Sequence, residues 1–252
     1  IEKRRAGNAA VAKLLAAAPV VWSGPKTDRM YAWPEARPYW LDREPNKAGL
    51  AHIFQQDNAA RYFELFTRAR LLMPTFGLIG GLAVFFWSRR LYGDLGGLLS
   101  LTLWSFCPNV LAHTRLITTD VAATSFGVFA AYCFWRWCYR PILNRMLWAG
   151  LALGLALSAK STWIVFIPLW LVLGSVCLAN RSWRGQSRLQ FGTECAQLAG
   201  IMVLGGYVLS ALYGFDRCFQ RLDSFPFVSN AFSAPSRETT DRNAPSRLNR
   251  FQ

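Results

Sequence analysis

Apolar and polar positions divide the chain into three blocks. Residues 1–70 mix charges, prolines and aromatics, residues 71–213 carry long apolar runs, and residues 214–252 return to a polar mixture. The first run, 71–87, has no charge and ends on Ser88-Arg89-Arg90. At ~1.5 Å per helical residue it covers most of a ~30 Å hydrocarbon core. A second helix is predicted from Asp94, an N-cap after a turn at Gly93, and runs through 95–111 to the polar stretch His113-Thr114-Arg115. A third covers 119–137 and is stopped by Pro141. The apolar region 146–179 is too long for one crossing, at ~51 Å by helical rise, and it carries Lys160 near its middle, where a charge is costly. A hairpin resolves both problems: 146–158 leads out, Ala159-Lys160-Ser161 turns, and 162–179 returns. A last span is predicted at about 196–213.

The flanks are read differently. Residues 9–21 are rich in Ala and Leu with the lone Lys13, which suits a helix lying in the membrane interface with Trp22 at headgroup level. Ser23-Gly24-Pro25 stops that helix, the stretch to Asn46 reads as an ordered loop, and Asp57 is predicted to cap a second helix running through Arg70. The fold class is therefore all-α: a polytopic membrane helix bundle over residues 71–213 with about six spans. An outer-face loop with interfacial helices (1–70) precedes it and an outer-face tail (214–252) follows.

Composition agrees: 53% hydrophobic and 15% aromatic residues with only 17% charged ones exclude an ordinary soluble domain. The net charge of +14 raises nucleic acid as a partner. The distribution argues against it, because arginines cluster between apolar runs at 89/90, at 136, 140 and 145, and at 181, 184 and 188. Those are topogenic positions, and the positive-inside rule puts all three clusters in the cytoplasm. Residues 1–70, the 113–119 loop, Lys160 and the tail then share the outer face. Residues 1–70 are also basic, but long translocated loops largely escape the rule.

The six cysteines form no C-x-x-C pair and read as small hydrophobes. Two histidines 61 positions apart, without a carboxylate at ligand spacing, give no metal site. Gly77, Gly80, Gly81, Gly96 and Gly97 fall in membrane helices and read as close-packing positions.

Four residues on the outer face are candidates for chemistry. Asp120 opens the third span, where a carboxylate either serves the helix N-terminus or lines an outer-leaflet cavity. Lys160, an ammonium between two apolar arms, either snorkels or binds an anion. Arg115 and His113 add cationic and polar capacity, and Lys and Arg converging on one pocket would suit a pyrophosphate or phosphodiester.

The order and spacing of several segments carry a resemblance. Arg70…Pro74, Leu91-Tyr92-Gly93 with Gly96-Gly97-Leu98-Leu99, Ala112-His113-Thr114-Arg115-Leu116-Ile117-Thr118-Thr119-Asp120, and Gly150…Gly154-Leu155-Ala156-Leu157-Ser158-Ala159-Lys160 together resemble the superfamily of dolichyl-phosphate-mannose protein mannosyltransferases and aminoarabinose transferases (glycosyltransferase family 39-like). The resemblance covers about residues 68–170. It implies a GT-C fold and inverting, metal-independent transfer of a sugar from a polyprenyl-phosphate carrier to a protein, lipid or polysaccharide acceptor on the outer (periplasmic or luminal) side, with no cofactor. It further implies a multi-pass protein of a bacterial inner membrane. By this likeness Asp120 matches the acid at the start of a core helix and acts as a supporting acid, Lys160 matches the lysine of the hairpin turn, and Arg115 matches the basic residue before the acid. Lys160, Arg115 and His113 are expected to bind the substrate phosphate. The family's principal carboxylate follows its first membrane helix, so the main base is expected upstream of Ile1, and the chain is read as a fragment at both ends. Glu2-Lys3-Arg4-Arg5 does not match that acidic motif. The rival readings are a transporter or flippase, whose charges would cluster at the midplane, and a catalytically incomplete structural piece.

Overall fold

The computed structural model describes residues 10–29, 47–183 and 187–215. Residues 30–46 of the predicted loop, Arg184, Glu2 and nearly all of the tail lie outside the described residues. The described elements are helical: α1 (Ala10–Trp22), α2 (Lys47–Asp57), α3 (Tyr62–Arg70), α4 (Pro74–Ser105), α5 (Pro108–Thr114), α6 (Thr119–Tyr139), α7 (Leu143–Ala159), α8 (Phe166–Trp183) and α9 (Arg188–Leu212). Short 3-10 turns at Ala59–Arg61 and Ser161–Val165 lead into α3 and α8.

Many large apolar side chains face outward, as lipid-facing helices require and soluble ones avoid. Leu78, Leu82 and Phe86 line one exposed stripe of α4, and Leu169, Val172, Leu173 and Val176 do so on α8. By length and apolarity three stretches can cross a membrane (Ala59–Ser105, Ser161–Arg181 and Leu189–Leu212), or four if the bent pair α5 and α6 counts as one span. The sequence-based figure of about six counts both arms of α4 and the shorter α7 separately.

The continuous helix α4 is in fact a hairpin. Gly93 has φ 79° and ψ −174°, a conformation that reverses the chain and that side-chain-bearing residues avoid. The two arms, 74–92 and 94–105, pack antiparallel: Trp104 Nε1 donates to the Gly77 carbonyl at 2.9 Å, and the hydroxyls of Ser88 and Ser100 meet at 2.8 Å. The expected first span and turn are both here, and Asp94 meets Arg89 across the turn. The second helix stops at Ser105, short of the predicted 111. Pro108 is the reason: the residue before a proline is driven out of the helical region, and Cys107 is extended with ψ 118°. The chain resumes as α5, and α5 and α6 meet at a bend of 118°.

The core is formed by α6, α7 and α9. Ala122, Ala130, Ala149, Ala152 and Ala156 are fully buried, so backbones approach closely and small residues replace the usual large core. A Cβ added to Gly154 would lie 2.5 Å from Val208 Cβ on α9. Aromatic rings join α8 to α6: Phe166 stacks on Trp170 and Trp170 on Phe134, with centroids 5.2 and 4.3 Å apart.

The N-terminal helix α1 matches its expected bounds and packs its Val11, Ala12 and Ala16 into the core, leaving Trp22 almost fully exposed. Asp57 does not cap a helix through Arg70. It closes α2 and pairs with Arg29 at 2.7 Å, and the next residue, buried Asn58, bonds both backbone groups of Lys26. Asn58 leaves the helical region at φ −113° and ψ 22°, so the chain breaks there and re-forms as α3 after a 3-10 turn.

The bundle has two chemically distinct ends. One carries Arg89, Arg90, Arg136, Arg140, Arg145 and Arg181. Here Arg145 Nη1 donates to the Arg136 carbonyl at 2.8 Å, Arg181 bonds the Cys138 carbonyl, and Arg181 pairs with Glu194 at 3.2 Å. The other end carries the start of α6, the end of α7, and α5.

Candidate active site

The site is built where α6 begins and α7 ends, which antiparallel packing places side by side. The β-branched Thr118 enters α6 extended, at φ −109° and ψ 158°. Thr118, not Asp120, holds the N-cap position, although its hydroxyl makes no capping bond. Asp120 lies in the first helical turn, where unpaired backbone N–H groups favour a carboxylate.

Lys160 leaves α7 in extended conformation, φ −156° and ψ 131°, and the chain then tightens into the 3-10 turn. That turn is clamped onto α6: Trp163 Nε1 donates to the Ala123 carbonyl at 2.9 Å, and the indole lies where a Cβ on Gly127 would be only 2.1 Å from it. The clamp fixes the backbone from which Lys160 reaches back. Its Nζ lies 3.1 Å from Asp120 Oδ1, with the two side chains 49% and 52% exposed. A half-exposed pair of this kind adds little to stability, at most about 1 kcal/mol. Its consequence is positional: a cation and a carboxylate are held together at one end of the bundle.

Asp120 also lines a groove of about 760 Å³ between the second arm of α4, α5 and α6. Its walls are mostly apolar, with Val84, Leu103, Trp104, Val110 and Val121, while Asn109, His113, Asp120 and Thr124 supply the polar groups. Such a lining, apolar with a few placed polar groups, is the usual character of a small-molecule site. His113 Nδ1 is buried there without a hydrogen-bond partner, and so is the nearby Thr118 hydroxyl. Buried polar atoms in this state are uncommon and call for an explanation, such as a bound ligand or water.

Of the four residues predicted from sequence, Asp120 and Lys160 therefore touch and His113 shares the groove with Asp120. Arg115 does not line it. It caps α5 as an exposed residue whose side chain makes no ion pair or hydrogen bond among the described residues. Asn109 and Trp104 were not anticipated. Pro108 inside an apolar run was the available signal for Asn109, since it marks a chain break at which polar side chains collect. Among the described residues no three His, Cys, Asp or Glu side chains come together as metal ligands do.

With this geometry established, the comparisons bear on it directly. The family model described as dolichyl-phosphate-mannose-protein mannosyltransferase matches residues 64–209, more than half of the chain. The matched segment runs from α3 to near the end of α9 and so contains the α4 hairpin, the groove and the Lys160–Asp120 pair. No curated protein and no solved structure gives a significant match.

Proposed function

The chain belongs to the dolichyl-phosphate-mannose-protein mannosyltransferase family and is a membrane glycosyltransferase of the GT-C type, and from that premise we propose that the groove and the Lys160–Asp120 pair form its donor site. The donor is a polyprenyl-phosphate-linked sugar. Its lipid lies along the apolar walls, and its phosphate sits at the polar end near Lys160 and His113. Arg115, exposed beside the groove, supplies a further cation once the phosphate is present. The observation that carries the reading is an ion pair whose carboxylate, Asp120, lines a mostly apolar groove of about 760 Å³.

The reaction is an inverting displacement. The acceptor hydroxyl oxygen attacks the anomeric carbon, the bond from that carbon to the phosphate oxygen breaks, and its electron pair leaves on the lipid phosphate. The hydroxyl proton passes to a carboxylate base. Asp120 acts as the supporting acid: it orients Lys160, and Lys160 stabilises the negative charge that grows on the departing phosphate. Fixed cations can do this without a metal. The chain crosses the membrane several times, its arginine end faces the cytoplasm, and the donor site opens on the outer side of a bacterial inner membrane.

The test is sugar transfer from a radiolabelled polyprenyl-phosphate donor, in membranes expressing the full-length gene. Transfer that Asp120→Asn abolishes supports the reading. A correctly inserted full-length protein that transfers no sugar overturns it and favours transport.

A further inference from the structure

The arginine end of the bundle contains a second, separate cavity. It measures about 150 Å³ and is lined by Cys133, Arg136, Ile142, Asn144, Arg145 and Trp148. Arg136 Nε is buried with no hydrogen-bond partner, and Arg136 has no ion pair among the described residues. Arg145 is held in place by its bonds to the Arg136 and Arg140 carbonyls, and Arg90, Arg136 and Arg140 lie close enough to act on its charge. The carboxylates described near this end are engaged elsewhere, Asp94 with Arg89 and Glu194 with Arg181. Several guanidinium groups therefore crowd together without a free counter-charge among the described residues.

The positive-inside rule accounts for arginines at this end but not for their arrangement. Topogenic arginines can point freely into water. Here one nitrogen is removed from water and left without a hydrogen-bond partner, which is unfavourable for a charged group. The first turn of α7 adds unpaired backbone N–H groups, since Ile142 precedes it without a side-chain cap. Aromatic rings surround the same level: Trp87 packs against Tyr132 and Trp135, Trp135 stacks on Tyr139, and Trp148 lines the cavity. Rings of this kind mark the headgroup layer of a bilayer.

We propose that this cavity is a phosphate-binding site, distinct from the Lys160–Asp120 groove, which holds the headgroup phosphate of an anionic membrane lipid. Arg136 Nε and the Arg145 guanidinium donate to the phosphate oxygens, and Asn144 completes the cradle. The volume accommodates one phosphate group and excludes a nucleotide. A soluble phosphate carries the same recognition chemistry, so the test separates the two sources.

The full-length protein, purified in detergent, is titrated with labelled phosphatidate, with phosphatidylcholine and with inorganic phosphate. Phosphatidate binding that saturates at about one per chain, with phosphatidylcholine not competing, is the expected result. Arg136→Gln removes a donor, Nε, that has no hydrogen-bond partner among the described residues and should weaken binding at least about tenfold, the effect of one hydrogen bond to a charged group. Asn144→Leu fills the cavity while keeping every charge and should weaken it as well. Binding of inorganic phosphate alone, lost in both variants, assigns the site to a soluble phosphate. Absence of any phosphate binding, or an equal loss in Arg90→Gln/Arg140→Gln, which removes two exposed arginines outside the cavity, overturns the proposal.

Discussion

Lys160 Nζ and Asp120 Oδ1 lie 3.1 Å apart although 40 positions separate them in the chain. The contact joins the link after α7 to the first turn of α6, beside the groove that Asp120 lines. If Lys160 carries the developing phosphate charge, Lys160→Ala should lower transfer by about 10²–10³ while membrane insertion stays intact, the loss typical for one preorganised electrostatic group. Exchanging the pair, Lys160→Asp with Asp120→Lys, separates this role from a structural one. The swapped protein should retain its thermal stability and still transfer no sugar. Recovery of transfer in the swap would reduce the pair to a structural tie.

A second expectation concerns the α4 hairpin. Gly93 sits at φ 79° and ψ −174°, and a Cβ built there meets nothing within 4 Å. The demand for glycine is therefore one of backbone conformation, not of space. Gly93→Ala should destabilise by about 1–3 kcal/mol, read as a lower Tm in detergent. Gly93→Asn should be no better, because asparagine tolerates the left-handed helical region and this ψ lies far outside it. A mild Asn variant would mean that the turn is a simple left-handed one.

The hairpins were legible because charge and glycine punctuate them. Arg89, Arg90 and Gly93 interrupt one apolar run and Lys160 another, and both turns lie where the sequence puts them. The break at Pro108 was not read, because the run around it is apolar enough to suggest one continuous helix. Asp57 was misread for a different reason: an acidic residue ahead of an aromatic run is a fair capping signal, and only the Asn58 side chain, folded back onto Lys26 from a distant part of the chain, ends α2 there. The groove was illegible for a third reason. Val84 and Ser100 come from opposite arms of α4, Val110 from α5 and Val121 from α6, and each of them in isolation looks like a lipid-facing position. Asp120 and Lys160 could be singled out as charges in apolar surroundings, whereas their contact depends on the close α6–α7 packing that alanines and glycines permit.

That packing supplies a third prediction. Gly127 faces the indole of Trp163, which a Cβ would meet at 2.1 Å, and the same indole anchors the turn that follows Lys160. Gly127→Ala must displace the ring and should cost about 1–3 kcal/mol by overpacking. Because Lys160 rides on this turn, transfer should fall along with Tm. Trp163→Phe, a smaller ring, added to Gly127→Ala should recover Tm. Transfer should recover only in part, since the hydrogen bond to the Ala123 carbonyl is lost. Independent, additive effects of the two changes on Tm would show that they do not share this contact.

The groove itself can be tested without touching any charge. Val84, on the first arm of α4, lines its apolar wall. Val84→Trp should narrow the path of a long polyprenyl chain while leaving Asp120, His113 and Lys160 in place. If lipid lies along that wall, KM for a long-chain donor should rise about tenfold, the effect of losing the burial of two or so methylenes. A donor truncated to a short prenyl chain should be affected far less, because it does not reach Val84. The contrast between donors decides the matter: an equal rise for both would place the obstruction at the phosphate, and an unchanged KM for both would place the lipid elsewhere. A fall in kcat alone would instead mean that the substitution disturbs the α4 hairpin, which the Tm of the same protein would show.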